Sequence, residues 1–251
     1  MRKDGGFGIS LLFAFLVLAG ACFVRPALAQ NPELQQRVAE IKESAAKNKQ
    51  ELAQYTWVEQ DSIVLKGEQK KQEHFQVRLG PDGKPMKTPL DAQASSESGG
   101  KKHGLKAHAV EKKKEEYKEY AEQMKSLLQQ YVPPEKELLT QAAQQGNIAL
   151  APQGGSPGAI ASQSGTSGEA RLVISNYVKP GDKMTLVLDK TTRQLRSIEV
   201  ASYLSDAKDA VRMDIQFAAI PGGPNHVSGA TINGVSKQLT ITLQNSNYQK
   251  L

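Results

Sequence analysis

Three groupings in the sequence have residue types and spacings that chemistry could use. Gly154-Gly155-Ser156-Pro157-Gly158 spells the G-x-S-x-G pattern of a nucleophile elbow. An elbow needs a strand before it, a helix after it, and a backbone N–H on the residue following the serine to hold an oxyanion. Pro157 has no N–H and both flanks are low in complexity, so no catalytic serine is expected. His103 and His108 lie five apart in a Lys/Gly-rich stretch, which is not the i, i+4 pair of a zinc helix and has no cysteine nearby. They could hold a stray transition metal, but no metal cofactor is expected. Glu59 and Asp61 are two apart and share one face of a strand. A glycosidase sets its two carboxylates across a cleft, roughly 5–9 Å apart and usually on different strands. A solvent-exposed strand face accounts better for this pair. With no phosphate-cradling Gly-rich loop and no dinucleotide fingerprint, the expectation is a protein without catalysis and without a cofactor.

The single tryptophan, Trp57, sits beside Tyr55 on an early strand. It belongs either to the core or to the wall of a ligand cavity, because a sheet under a movable helical lid has the same dry face in both cases.

The elements that would position such residues begin after an export signal. Arg2 and Lys3 precede a 16-residue apolar run over 9–24, and Ala27-Leu28-Ala29 supplies the small residues that a signal peptidase reads. The run is short of the ~20 residues that a spanning helix needs. Residues 1–29 are therefore expected to be removed, leaving a soluble exported chain, periplasmic or secreted, of 222 residues. The sole cysteine, Cys22, leaves with the signal, so no disulfide is expected in the mature protein. A lipid anchor through Cys22 is the rival, with the usual leucine one place too early. The formal charge of +6 falls to +4 on cleavage, too mild and diffuse for a nucleic-acid partner. The basic run over 101–114 lacks the aromatics that stack on bases and reads as a solvated loop, with contact to anionic lipid headgroups as its open alternative.

The mature chain, 30–251, reads as one α+β domain. Asn31-Pro32-Glu33 starts a helix, and Leu34, Val38, Ile41, Ala45 and Leu52 recur on one of its sides. Residues 55–66 and 72–79 alternate as strands, joined by a polar connection over 67–71 and followed by the turn Gly80-Pro81-Asp82-Gly83. A low-complexity insert covers about 91–109, and a long helix runs from Val110 to Tyr131 until Pro133-Pro134 ends it. A shorter helix over 135–145 stops at Gly146, and a second insert covers about 149–170.

From Arg171 to Tyr248 the pattern is β throughout. Val211, Met213, Ile215 and Phe217 alternate with polar residues, as do Leu239, Ile241 and Leu243, while Asn233-Gly234 has hairpin chemistry. Turns at such short intervals suit an antiparallel meander and leave no room for crossover helices. The expected architecture is a curved, open, half-barrel-like antiparallel sheet of about seven or eight strands, covered by two or three helices.

The order of helix, short meander, helical insert and longer meander, with MTLVLDKTTRQLRSIEV over 184–200, resembles the outer-membrane lipoprotein carrier (LolA-like) superfamily and the related envelope-stress regulators. The resemblance covers 55–66, 72–79 and 171–244. It implies an unclosed β-barrel with a helical plug and an acyl chain bound between them. Tyr55-Thr56-Trp57, Val132-Pro133-Pro134 and Asn245-Ser246-Asn247-Tyr248 also resemble an uncharacterised group of secreted bacterial proteins, a likeness that brings no function with it. The cavity walls expected on these grounds are Trp57, Met213, Ile215, Phe217 and Ile241, with a lipid or lipoprotein segment as ligand. The competing expectation is an envelope interaction or sensor protein with a solid core and a protein partner.

Overall fold

The computed structural model describes residues 32–90, 105–151 and 168–251. The expected signal over 1–29, with Cys22, lies outside them, as do His103 and Ser156. Helix α1 (Pro32–Leu52) begins at the proline, whose missing N–H has no intrahelical partner to lose. It buries Leu34, Val38 and Ile41, as the spacing predicts. Strands β1 (Tyr55–Leu65) and β2 (Glu68–Leu79) form a hairpin whose two turn residues, Lys66 and Gly67, both have positive φ (53° and 83°). The connection expected over 67–71 is thus two residues long, and Glu68, Gln69 and Lys71 already pair in the ladder. Strand β3 (Pro85–Pro89) follows across the Gly80–Gly83 turn.

Helices α2 (Leu105–Gln129) and α3 (Lys136–Gln144) come next. The α2 helix stops short of Tyr131, which lies in the following turn. Gly146, with φ of 73°, takes the left-handed conformation just past α3, where a side chain would be strained. The chain then runs through β4 (Ile148–Leu150), β5 (Glu169–Ser175), β6 (Lys183–Asp189), β7 (Leu195–Tyr203), β8 (Ala210–Ala219), β9 (Asn225–Gly234) and β10 (Leu239–Lys250).

These strands make one sheet in the order β3-β2-β1-β10-β9-β8-β7-β6-β5-β4, and every pairing is antiparallel. The open antiparallel α+β architecture agrees with expectation. The strand count does not: ten strands, rather than seven or eight, are present among the described residues. Residues 225–234 carry Asn, His, Ser and two glycines, so β9 lacks the apolar alternation that marks a strand. The hairpin expected at Asn233-Gly234 lies instead at 235–238, with Gly234 paired to both Leu239 and Val211.

The sheet's order explains the helices. Strand β3 is one edge and β4 the other, so the chain between them must cross the whole sheet. Ten strands at roughly 4.8 Å spacing span about 43 Å, and a 25-residue helix is about 37 Å long. The α2 helix supplies part of that crossing, packing on the core from Tyr117 onward while residues 111–116 stay exposed. Its residues Tyr120, Ala121, Met124 and Leu127 are buried in one core with α1, α3 and the inward residues of β4–β10. At its far end Tyr131 donates to buried Asp182 (2.5 Å), which also accepts the backbone N–H groups of Tyr177, Val178 and Lys179 (2.6–3.0 Å). That carboxylate ties the crossing to the β5–β6 loop.

The α2 helix comes close to the sheet at Gly234. A Cβ there would lie 2.6 Å from Tyr120 Cε1 and 2.9 Å from Met124 Sδ. Gly234→Ala is expected to cost about 1–3 kcal/mol in urea unfolding, because the helix must shift to admit one methyl. Gly168→Ala, where a Cβ meets nothing within 4 Å, is the neutral control.

Candidate functional site

On β1 the alternation sends Trp57, Glu59, Asp61, Ile63 and Leu65 to the helix-facing side, and Trp57, Glu59 and Asp61 are buried. Glu59 pairs with Phe75 of β2 and Asn245 of β10, and Asp61 pairs with Glu73 and Leu243. The two carboxylates are only 6% and 2% exposed. This corrects the reading of Glu59 and Asp61 as an exposed strand face. The period that links them to each other also links them to Trp57 and Ile63, and that was the available signal.

Two lysines from other elements compensate the buried charge. Lys125 of α2 donates to Asp61 Oδ2 at 2.9 Å. Lys87 of β3 donates to Glu59 Oε1 and lies 3.7 Å from Asp61 Oδ2. The Lys87 side chain remains 32% exposed and that of Lys125 21%, so the cluster has a wet side towards the β3 edge. The Lys87 ammonium also lies 5.4 Å from the centre of the Phe75 ring.

Beside the charges is an aromatic group. Strand β10 carries one extra residue opposite β1, since Val58 faces Ser246 whereas Thr56 faces Gln249. Asn247 sits there with φ of 54°, a bulge conformation that asparagine tolerates better than most residues. Tyr248 stacks on Trp57 with centroids 5.4 Å apart and planes within 17°, and the His226 ring lies 4.0 Å from Tyr248. Tyr248 Oη and Asn245 Nδ2 both donate to the carbonyl of Val227, at 3.2 and 2.9 Å. Two buried polar atoms in this neighbourhood, Trp57 Nε1 and Asn245 Oδ1, have no hydrogen-bond partner. Buried groups of this kind are normally satisfied, so their presence here marks the place as polar.

Burial pushes the Glu59 carboxyl up from 4.5 to about 7, and neighbouring Asp61 adds to this while Lys87 opposes it. Burial alone would raise Asp61 too, but hydrogen bonding with Glu59 and the Lys125 and Lys87 ammoniums hold it below its ordinary value. Burial would lower Lys125, yet its bond to Asp61 leaves it above its ordinary value. Burial lowers His226, with a hydrogen bond to the Pro224 backbone opposing the effect. The chemical capacity of the group is therefore to hold a proton on Glu59 near neutrality.

The other expected wall residues lie in the main core. Met213 and Ile241 flank Ile232, and Ile215 is buried beside Ala230. Phe217 is half-buried, packs on the core and pairs with Val227. Trp57 stands apart from these four, against Tyr248. His74 lies half-buried on the opposite face, its ring nitrogen 3.2 Å from Gln60 Oε1. Two surface depressions, of about 180 Å³ beside α3 and about 400 Å³ at the β9–β10 turn, lie away from the cluster. Among the described residues, no helix is long and apolar enough to cross a membrane.

Because the folded state holds a proton on Glu59 that the unfolded chain releases, the associated stabilisation is complete below 4.5 and is lost as pH rises through about 7. Glu59→Gln is therefore expected to raise stability over the parent by on the order of 2 kcal/mol at about pH 8 and by much less at about pH 5. Thermal melts at the two pH values check this, and an equal gain at both would contradict it.

No protein-family model and no curated protein matches the sequence. Among solved structures, the chain is similar to a DUF1329 family protein from Desulfovibrio piger ATCC 29098, at 10% identity and a TM-score of 0.37. The match covers 84% of this chain and 92% of that one, a distant likeness that assigns no family.

Proposed function

We propose that the protein is an exported, non-catalytic binding module that holds an acyl chain, or the lipid-modified segment of another protein, between its helix layer and its open sheet. The observation that carries this reading is the sheet itself. It is unclosed, its apolar face is continuous over β4–β10, and the helices are laid across that face as a separate layer. An acyl chain of ~14 methylenes could gain about 11 kcal/mol gross at ~0.8 kcal/mol per buried CH₂, so an apolar lining needs little polar help. The walls are Met213, Ile215, Phe217 and Ile241, with Trp57 at the margin. The LolA-like resemblance of residues 184–200 and its neighbouring strands agrees with this reading.

A second reading has its own observation. Met124, Ile215 and Ile241 are fully enclosed beneath the helices, which suits an interaction or sensor protein with a solid core. A variant lacking residues 92–109 separates the two. Loss of a protein partner with unchanged lipid binding favours the second.

Native mass spectrometry of protein purified from the cell envelope is expected to show a bound lipid mass, and a long-chain fluorescent fatty acid is expected to bind the delipidated protein. A ligand-free mass together with no probe binding overturns the first reading. For the export step, the mature protein is expected to begin at Gln30. A lipidated start at Cys22 would replace the soluble form with an anchored one.

A further inference from the structure

The buried charges beneath α2 are balanced: Glu59 and Asp61 on β1 face Lys87 on β3 and Lys125 on α2. The groups around them are Glu73 of β2 and Glu122 of α2, both near Lys125, and Tyr248 of β10 near Glu59. His226 touches Tyr248 from β9. The two lysines differ in their surroundings. Lys125 lies under the helix layer with Asp61 as its close partner, whereas Lys87 projects from an edge strand whose five residues are all exposed. Its ammonium lies beside the half-buried Phe75 ring, on the face that carries Val77 and Trp57. A cation at an open edge beside a half-buried aromatic ring suits the charged end of an amphiphile.

We infer that Lys87 is the headgroup-binding residue of the proposed lipid site, taking the anionic headgroup of a single-chain amphiphile in place of Glu59, which takes up a proton as it is displaced. This inference rests on the acyl-binding reading. The charge balance is conserved: one carboxylate leaves Lys87, one anion replaces it, and the proton on Glu59 comes from solvent. Without that proton, the cluster would hold three anions against two cations in a buried setting, an arrangement with a large desolvation cost. Glu59 is suited to the exchange because its carboxyl already titrates at about 7.

The direction of the pH dependence follows. Where Glu59 is already protonated, anion binding requires no proton and affinity is flat. Above about 7 each binding event takes up one proton, so affinity falls by about tenfold per pH unit. A neutral long-chain alcohol should show no such fall.

The test uses the mature protein with a fluorescent long-chain fatty acid and the matching alcohol, titrated between about pH 6 and 9 in buffers of different ionisation enthalpy. The expected result is a tenfold-per-unit loss of acid affinity above neutrality, with uptake of close to one proton, and no loss for the alcohol. Glu59→Gln should bind the acid with a flat profile. Lys87→Gln should lose the preference for acid over alcohol while keeping the alcohol's affinity, which also reports that the variant is folded. A lysophospholipid in place of the fatty acid distinguishes a phosphate headgroup from a carboxylate. Equal acid affinity at the two ends of the range, a shared profile for acid and alcohol, or an unaffected Lys87→Gln variant overturns the inference while the acyl-binding reading stands. Failure of every probe to bind overturns that reading, and this inference with it.

Discussion

The pairing of β1 with β10 is the constraint on which the rest depends. Ten Cα partners, from Tyr55 with Lys250 to Leu65 with Leu239, join the beginning of the folded chain to its end. Once that ladder forms, the N-terminal hairpin and β3 extend the sheet on one side and the C-terminal meander extends it on the other. The two edges lie at opposite ends of the strand order, and the polypeptide between β3 and β4 has to pass from one to the other. A helix is the economical way to do so, because its backbone groups are satisfied internally while it passes over apolar side chains. The helix layer is thus a consequence of strand order.

The same ladder determines what lies in the candidate site. Glu59 opposite Asn245, and Trp57 within reach of Tyr248, exist only in this register. A slip of one residue would send both carboxylates to the solvent face. Buried ion pairs are weak contributors to stability, since desolvation offsets most of the attraction. Lys125 and Lys87 are better understood as groups that make burial of two acids tolerable than as staples. Their geometry also links three separate elements, α2, β1 and β3, through one shared pair of carboxylates. A change of charge at any member is felt by all three.

Much of the fold was legible in the sequence, for reasons that are local. The alternation over 211–217 and 239–243 reports strands with one dry face, and Leu34, Val38 and Ile41 report the buried stripe of α1. Strand β9 was not legible as a strand, because glycine and polar residues fill it where α2 and the neighbouring strands press close, with Gly234 under Tyr120 the plainest case. The site was half legible. Trp57 stood out by its rarity, and period two already placed Glu59 and Asp61 on its face. The partners Lys87, Lys125, Asn245 and Tyr248 come from other elements and could not be assigned without tertiary register. The position of Tyr248 depends further on one left-handed asparagine in a bulge, a backbone detail with no signature in hydropathy.

Strand β3 has a proline at each end of its five residues, so its outer rim offers few amide hydrogens for another strand to grip. At the far side of the sheet β4 is only three residues long. Both rims are thereby poor templates for chain-to-chain zippering. Unpaired strand rims are the usual sites of edge-to-edge association, and here both are short or lack donors.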